Sequence, residues 1–185
     1  MGRSGSQERI QETRLKRLAA SIDALAQKDA VLLGHVRDTV ALRRAAAVEI
    51  HSLCARFVES VNRLLSETAV VLDPPEFRET SFLEDGTNLI QINARGRILQ
   101  VAFESTPELV STEEFRVPYT LAGSIRAFNQ ELLEKDLIEE QLIFFTVEKQ
   151  GGTWRFFDAR TYRSGVFGQE YLISLMEQLI IRPAG

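Results

Sequence analysis

Residues 141–162 read QLIFFTVEKQGGTWRFFDARTY, and this stretch decides the fold class. Gln141–Lys149 is rich in Ile, Phe, Thr and Val, side chains that suit a pleated, half-buried backbone. Gln150-Gly151-Gly152 supplies a turn. Thr153–Tyr162 returns with Trp154, Phe156 and Phe157, so the reading is an antiparallel hairpin. With Thr153–Tyr162 extended throughout, Trp154, Phe156, Asp158, Arg160 and Tyr162 share one face, and Arg155 and Arg163 lie on the other.

A second hairpin precedes it. Leu99, Val101 and Phe103 alternate with Gln100 and Glu104 within Arg97–Ser105, the period of a strand with one buried face. Asn88–Ala94 is its partner, joined through Arg95 and Gly96, where glycine is free to take positive φ. Phe77–Leu83 is read as an earlier edge strand. Between the hairpins, Ile125, Phe128, Leu132 and Leu133 fit a helix over Ser124–Asp136; the alternative is a strand through Ile125–Asn129 followed by a shorter helix. Gly168–Ile181 closes the chain as a helix, with Tyr171, Leu172, Leu175, Met176 and Leu179 on one stripe and Pro183 beyond it. A sheet with a face to bury and a helix with a stripe to bury make an α+β domain.

The N-terminal half reads differently. From about Gln7 to Val71 apolar residues recur at spacings of three and four: Leu15, Leu18, Ile22, Leu25, Leu32, Val36, Val40, Ala47, Ile50, Cys54, Phe57, Val61 and Leu64. This is the signature of helix-on-helix packing. Two charges interrupt the seam, Asp29 and Arg43, placed symmetrically about residue 36. Reflection about that point sets Asp29 against Arg43, Leu25 against Ala47 and Ile22 against Ile50. A lone charge in a seam is costly and a paired one can fix register, so Asp29 and Arg43 are the candidate helix-pairing residues. Two structures satisfy the pattern. One is a long helical hairpin turning near Gly34–Asp38. The other is a single coiled-coil helix of roughly 65 residues, about 97 Å long, paired antiparallel with a second chain.

Asp73-Pro74-Pro75 separates the halves, because two prolines cannot continue a helix. The expected organisation is a flexible tail at 1–6, a helical hairpin or coiled-coil region at 7–72 and an α+β domain with an antiparallel sheet at 73–185. Charge divides at the same place. Residues 1–72 hold 11 Lys/Arg against 8 Asp/Glu, and residues 73–185 hold 11 against 18. The whole chain of 185 residues carries a net charge of −4 with 44% hydrophobic residues, which excludes collagen-like, disulfide-stapled and disordered classes.

One cysteine, Cys54, allows no internal disulfide, and the longest apolar run, Leu142–Val147, is far short of the ~20 residues a membrane span needs. A cytoplasmic, reducing location is the expectation. Met1-Gly2-Arg3-Ser4-Gly5-Ser6 matches the N-myristoylation form, but no polybasic cluster supports an anchor, and a polar start is the simpler reading.

Catalytic signals are sparse. His35 and His51 are the only histidines. His51 and Cys54 sit one helical turn apart, the spacing of a nucleophile pair or half a metal site, yet Cys54 lies on the apolar seam where a structural thiol belongs. No CxxC, HExxH, Walker A or G-x-S-x-G pattern occurs. Glu113-Glu114 and Glu139-Glu140 are adjacent carboxylates that read as solvated acidic faces. No metal or cofactor is expected, and no catalytic residue is assigned.

The candidate ligand- or partner-binding residues are Arg155, Asp158, Arg160, Tyr162 and Arg163. Arginines interleaved with aromatics suit a phosphate, a carboxylate or a stacked single-stranded base. The expected function is therefore a non-enzymatic interaction or scaffold protein that self-associates or docks a protein partner through its helical half. The alternative is a sensor or binder of a small anionic ligand or single-stranded nucleic acid through the Arg/aromatic patch. An enzyme of unknown class is the second alternative, since sites assemble from residues distant in sequence.

Overall fold

The computed structural model describes residues 4–34, 39–110, 117–135, 138–148 and 151–181. The chain forms α1 (Ser4–Gly34), α2 (Thr39–Asn62), β1 (Val71–Asp73), a 3-10 turn (Glu79–Ser81), β2 (Asn88–Ala94), β3 (Arg97–Val110), β4 (Tyr119–Phe128), α3 (Gln130–Glu134), β5 (Glu139–Glu148), β6 (Gly151–Asp158), β7 (Arg163–Val166) and α4 (Gln169–Ile181). This is an α+β fold: two N-terminal helices, a seven-stranded antiparallel sheet and a C-terminal helix.

The chain divides into two compact units between residues 37 and 38. The second unit holds the sheet, α2 and α4. Its strands follow chain order, β1 to β7, each antiparallel to the next. Inward-facing Ile90, Ile92, Leu99, Val101, Phe103, Leu121, Ile125, Ile143 and Trp154 are essentially inaccessible. They pack with Ala46, Ala47, Ile50, Cys54 and Phe57 of α2 and Leu172, Leu175 and Leu179 of α4 in one continuous core. The α4 stripe is as its spacing predicts, with all five of its apolar residues buried.

Alternation sets the two sheet faces. Leu99, Val101 and Phe103 of β3 meet Ile92, Ile90 and Asn88 of β2 across the ladder. The β2–β3 turn is a two-residue loop, with Arg95 at φ 54° and Gly96 at φ 83°, and the Gly96 N–H bonds the Asn93 side chain at 2.8 Å. Paired positive φ values match the twist of the strands they join. On the outer face Tyr119, Phe144 and Phe157 form a small second cluster against Ala122. Gly123 lies against the β3 backbone: a Cβ there would fall 1.9 Å from the Ala102 carbonyl oxygen.

Three expectations need correction. Ser124–Asp136 is not one helix. Tyr119–Phe128 is strand β4, paired to β3 and β5 with a break in register at Thr120, and only Gln130–Glu134 is helical, capped by the Asn129 side chain on the Leu132 N–H at 2.8 Å. Ladder bonding on both sides outweighs a weak helical period. Phe77–Leu83 is not an edge strand; it contains the 3-10 turn, and the edge is Val71–Asp73. The strand in Thr153–Tyr162 ends at Asp158, so Arg160 and Tyr162 belong to a turn and not to the face of Trp154 and Phe156.

α1 and α2 are the two helices within the expected helical region 7–72. The α2 stripe, Ala47, Ile50, Cys54 and Phe57, is buried in the sheet core. A three-four stripe specifies an apolar face and leaves open what covers it. Ser4–Ser6 belong to α1. The expected turn near Gly34–Asp38, together with His35 and Val36, lies outside the described residues, as do Glu113, Glu114, Asp136, Gln150 and Pro183.

Candidate functional site

The Arg/aromatic stretch occupies the β6–β7 hairpin. Asp158 ends β6, and its carboxylate folds over the turn. Its Oδ1 accepts from the backbone N–H of Arg160 at 2.9 Å and of Thr161 at 3.4 Å; its Oδ2 accepts from the Thr161 hydroxyl at 2.8 Å. Burial opposes ionisation of this group. The Thr161 hydroxyl, the two N–H donors and the charge of Arg160 outweigh it and hold the pKa below the ordinary aspartate value. Asp158 is therefore a turn-forming residue whose lone pairs are engaged locally.

Tyr162 follows in left-handed backbone at φ 55°, with 82% of its surface exposed. Its ring stands edge-on to Phe157 at 6.4 Å. Arg160 reaches Glu139 at 3.8 Å across solvent. Arg155 lies opposite Phe144 in the ladder and shares the outer face with Phe157, whereas Arg163 pairs with Asp158 on the inner-facing register. The hairpin thus brings Tyr162 to Phe157, while strand alternation sends Arg155 and Arg163 to opposite faces. Glu139 and Glu140 are split by the same alternation; Glu140 pairs with Arg126 at 2.9 Å. The Ser124 hydroxyl, against some opposing burial, and Arg126 lower the Glu140 pKa.

The His51–Cys54 pair is structural. The His51 Nε2 lies 2.8 Å from the Pro74 carbonyl, which can only accept, so Nε2 carries the proton. The ring stacks on Phe77 with centroids 5.7 Å apart. Cys54 is fully buried, and burial pushes its thiol up to about 12. A thiol so far above neutrality supplies almost no thiolate and is a poor nucleophile. Among the described residues no cluster of three or more His, Cys, Asp or Glu could hold a metal ion.

Arg43 is a buried cation on α2. Its Nε donates to the Thr120 hydroxyl at 2.8 Å, one terminal nitrogen pairs with Glu84, and the other donates to the Thr106 carbonyl at 2.5 Å. All three partners lie in the same unit as Arg43. The seam had suggested Asp29 for this charge. Glu84, Thr106 and Thr120 were not legible as its partners, the lone base in an apolar stripe being the one available signal. The cluster ties α2 to the 84–120 region of the sheet.

The first unit leaves one feature that asks for a partner. Leu15, Leu18, Ile22 and Leu25 line one stripe of α1 at a-and-d spacing, and each is more than half exposed, from 56% to 65%. Asp29 continues the stripe and is also exposed. An i,i+4 ion pair, Glu12 with Lys16 at 2.7 Å, supports the helix near its start. No helix among the described residues is long and apolar enough to cross a membrane.

Comparison of the chain with protein-family models, with curated proteins and with solved structures gave no match.

Proposed function

We propose that this is a non-enzymatic interaction protein that self-associates or docks a protein partner through α1. One observation carries the reading: four large apolar side chains, Leu15, Leu18, Ile22 and Leu25, stand exposed on a single helical stripe. Isolated surface leucines are ordinary, but a row of them at coiled-coil spacing is an interface pattern. Most helical stability comes from packing an apolar face, so a helix whose face is uncovered has the most to gain from a partner.

Magnitudes place the association in a measurable range. Each side chain contributes about 1.5–3 kcal/mol on full burial, against an association cost of about 4–15 kcal/mol. Four residues from each of two copies give an assembly that forms and dissociates with concentration. Sedimentation velocity of the full chain over a dilution series tests the reading. The expected result is a concentration-dependent oligomer that Ile22→Glu abolishes while circular dichroism stays unchanged. A monomer at every concentration, with Ile22→Glu indistinguishable from it, removes the self-association reading.

A second reading is favoured by Tyr162, whose ring is held in solvent on left-handed backbone beside Arg160 and Arg163. Unusual backbone at an exposed aromatic is a functional signal, and the chemistry suits an anionic small ligand or single-stranded nucleic acid. Anisotropy of labelled oligonucleotides and nucleotides tests it. Salt-sensitive binding lost in both Tyr162→Ala and Arg160→Ala supports it, and binding unaffected by either change removes it.

A further inference from the structure

We propose that the free edge of β7 docks an extended acidic segment of a partner protein, which adds to the sheet as a further strand. β7 closes the order β1 to β7, so its outer edge pairs with no other strand. The ladder fixes which backbone groups stand there. The Phe167 N–H bonds the Trp154 carbonyl at 2.8 Å, and Val166, Gly165, Ser164 and Arg163 lie opposite Arg155, Phe156, Phe157 and Asp158 in turn. Bonded and non-bonded pairs alternate in an antiparallel ladder. Gly165 and Arg163 therefore turn their N–H and C=O groups toward β6, and Ser164 and Val166 turn theirs outward. A row of unpaired backbone groups is a template for another strand. The opposite edge of the sheet is guarded: β1 ends at Asp73 and runs into Pro74 and Pro75, which have no N–H to offer. β7 holds neither a proline nor an acid.

Charge selects the occupant. Residues 155–166 carry Arg155, Arg160 and Arg163 against Asp158 alone, and that carboxylate is engaged within its own turn. Among the described residues no carboxylate pairs with Arg155 or Arg163, and Arg160 reaches Glu139 only at 3.8 Å. The β7 of a second copy would bring the same arginines and no acid, whereas an acidic strand brings their complement. Alternation then sets the pattern of that strand. Residues level with Ser164 and Val166 share the outer face with Phe157, Val166 and Tyr162, of which Val166 is 57% and Tyr162 82% exposed, so apolar side chains suit them. The residue level with Arg163 lies on the other face, where a carboxylate makes a direct cross-strand pair. β7 and α1 belong to different units, so this surface is independent of the self-association reading.

Fluorescence anisotropy of the full chain with a labelled Val-Glu-Val-Glu-Val-Glu peptide tests the inference. Salt-sensitive binding is expected, with none to the Val-Lys counterpart. The valines carry the amides that face β7, so N-methylation of the valines is expected to abolish binding and N-methylation of the glutamates to spare it. Arg163→Glu is expected to weaken binding about tenfold or more. Ser164→Pro removes an outward N–H without touching the β6 ladder, and is expected to abolish binding with circular dichroism unchanged. The N-methylated peptides read the same bond in the wild-type chain, whether or not the proline variant folds. No binding of the acidic peptide, or equal binding of the two N-methylated peptides, overturns the proposal. So does a labelled oligothymidylate that binds where the acidic peptide does not, which would give the arginines to a nucleic acid.

Discussion

The indole Nε1 of Trp154 donates to the main-chain carbonyl of Ala46 at 2.7 Å, across 108 residues of sequence. Trp154 sits in the middle of β6, and Ala46 in the interior of α2. The bond fixes how far α2 slides along the sheet, and Phe103 and Phe145 hold the ring from two neighbouring directions at 5.2 and 5.5 Å. A buried tryptophan needs a partner for its one polar atom, and here the helix backbone provides it.

Trp154→Phe removes that bond and part of the ring volume. The expected loss is about 2 kcal/mol of unfolding free energy. Urea denaturation followed by far-UV circular dichroism measures it; Trp154 is the only tryptophan, so fluorescence is lost with it.

Arg43→Ala removes the cation from the partly exposed Glu84 and strips Thr120 and Thr106 of a donor. Losing this part-buried pair together with two buried hydrogen bonds is expected to cost about 3 kcal/mol. Asp29→Ala, at an exposed position, is expected to change the denaturation midpoint of the α+β unit negligibly. Equal losses from the two variants would mean that Arg43 owes its stability to Asp29.

Gly123→Ala sets a methyl group against the Ala102 carbonyl oxygen and the Phe103 Cα, whose distances to an ideal Cβ are 1.9 and 2.6 Å. Backbone atoms on both sides cannot yield as a side chain does. A loss of about 3 kcal/mol, or failure to fold, is expected. A thermal melt within 2 °C or so of the wild type would show that β3 and β4 can separate there at little cost.

Cys54 is expected to resist Ellman's reagent at pH 8 in the folded protein and to react at once in denaturant. Its pKa is pushed up to about 12 by burial, so almost none of the thiol is ionised, and the ring of neighbours blocks approach. Stoichiometric reaction within minutes under native conditions would contradict both.

Asp158 supplies the pH dependence. Its pKa is lowered in the folded state, so the unfolded chain binds the proton more readily. The stability it contributes is complete above the ordinary aspartate range near ~3.9 and is lost as pH falls through the folded value. Asp158→Asn should therefore flatten the acid limb of the stability curve, read from urea midpoints between about pH 5 and pH 3. An unchanged limb would mean that other carboxylates set it.

The elements legible in the sequence were those whose pattern and environment agree. α4 shows its stripe because one face meets the sheet and the other meets water. The β2–β3 hairpin announces itself through Gly96 and the alternation on either side. β4 was hidden because Gly123 and Ala127 stand at inward positions where large residues would mark a strand, leaving Ile125, Phe128, Leu132 and Leu133 to mimic a helix. The α2 stripe was visible as a stripe, but its cover was not, since helix and sheet ask for the same spacing. Arg43 stood out as a charge in an apolar row, while its partners lie 41 to 77 residues away and carry no local mark. Tyr162 gave no warning of left-handed backbone, because the turn geometry is set by the Asp158 carboxylate and not by the tyrosine.

The core helix α2 leaves the ribosome long before the strand that completes its burial. At synthesis rates of about 5–20 residues per second, the 108 residues between Ala46 and Trp154 take about 5–20 s to appear. For that interval the apolar face of α2 waits beside a sheet that is still being delivered strand by strand from one edge. Because the strands arrive in the order in which they pair, each finds its neighbour already present, and the nascent chain has no pairing to undo before the last helix closes the core.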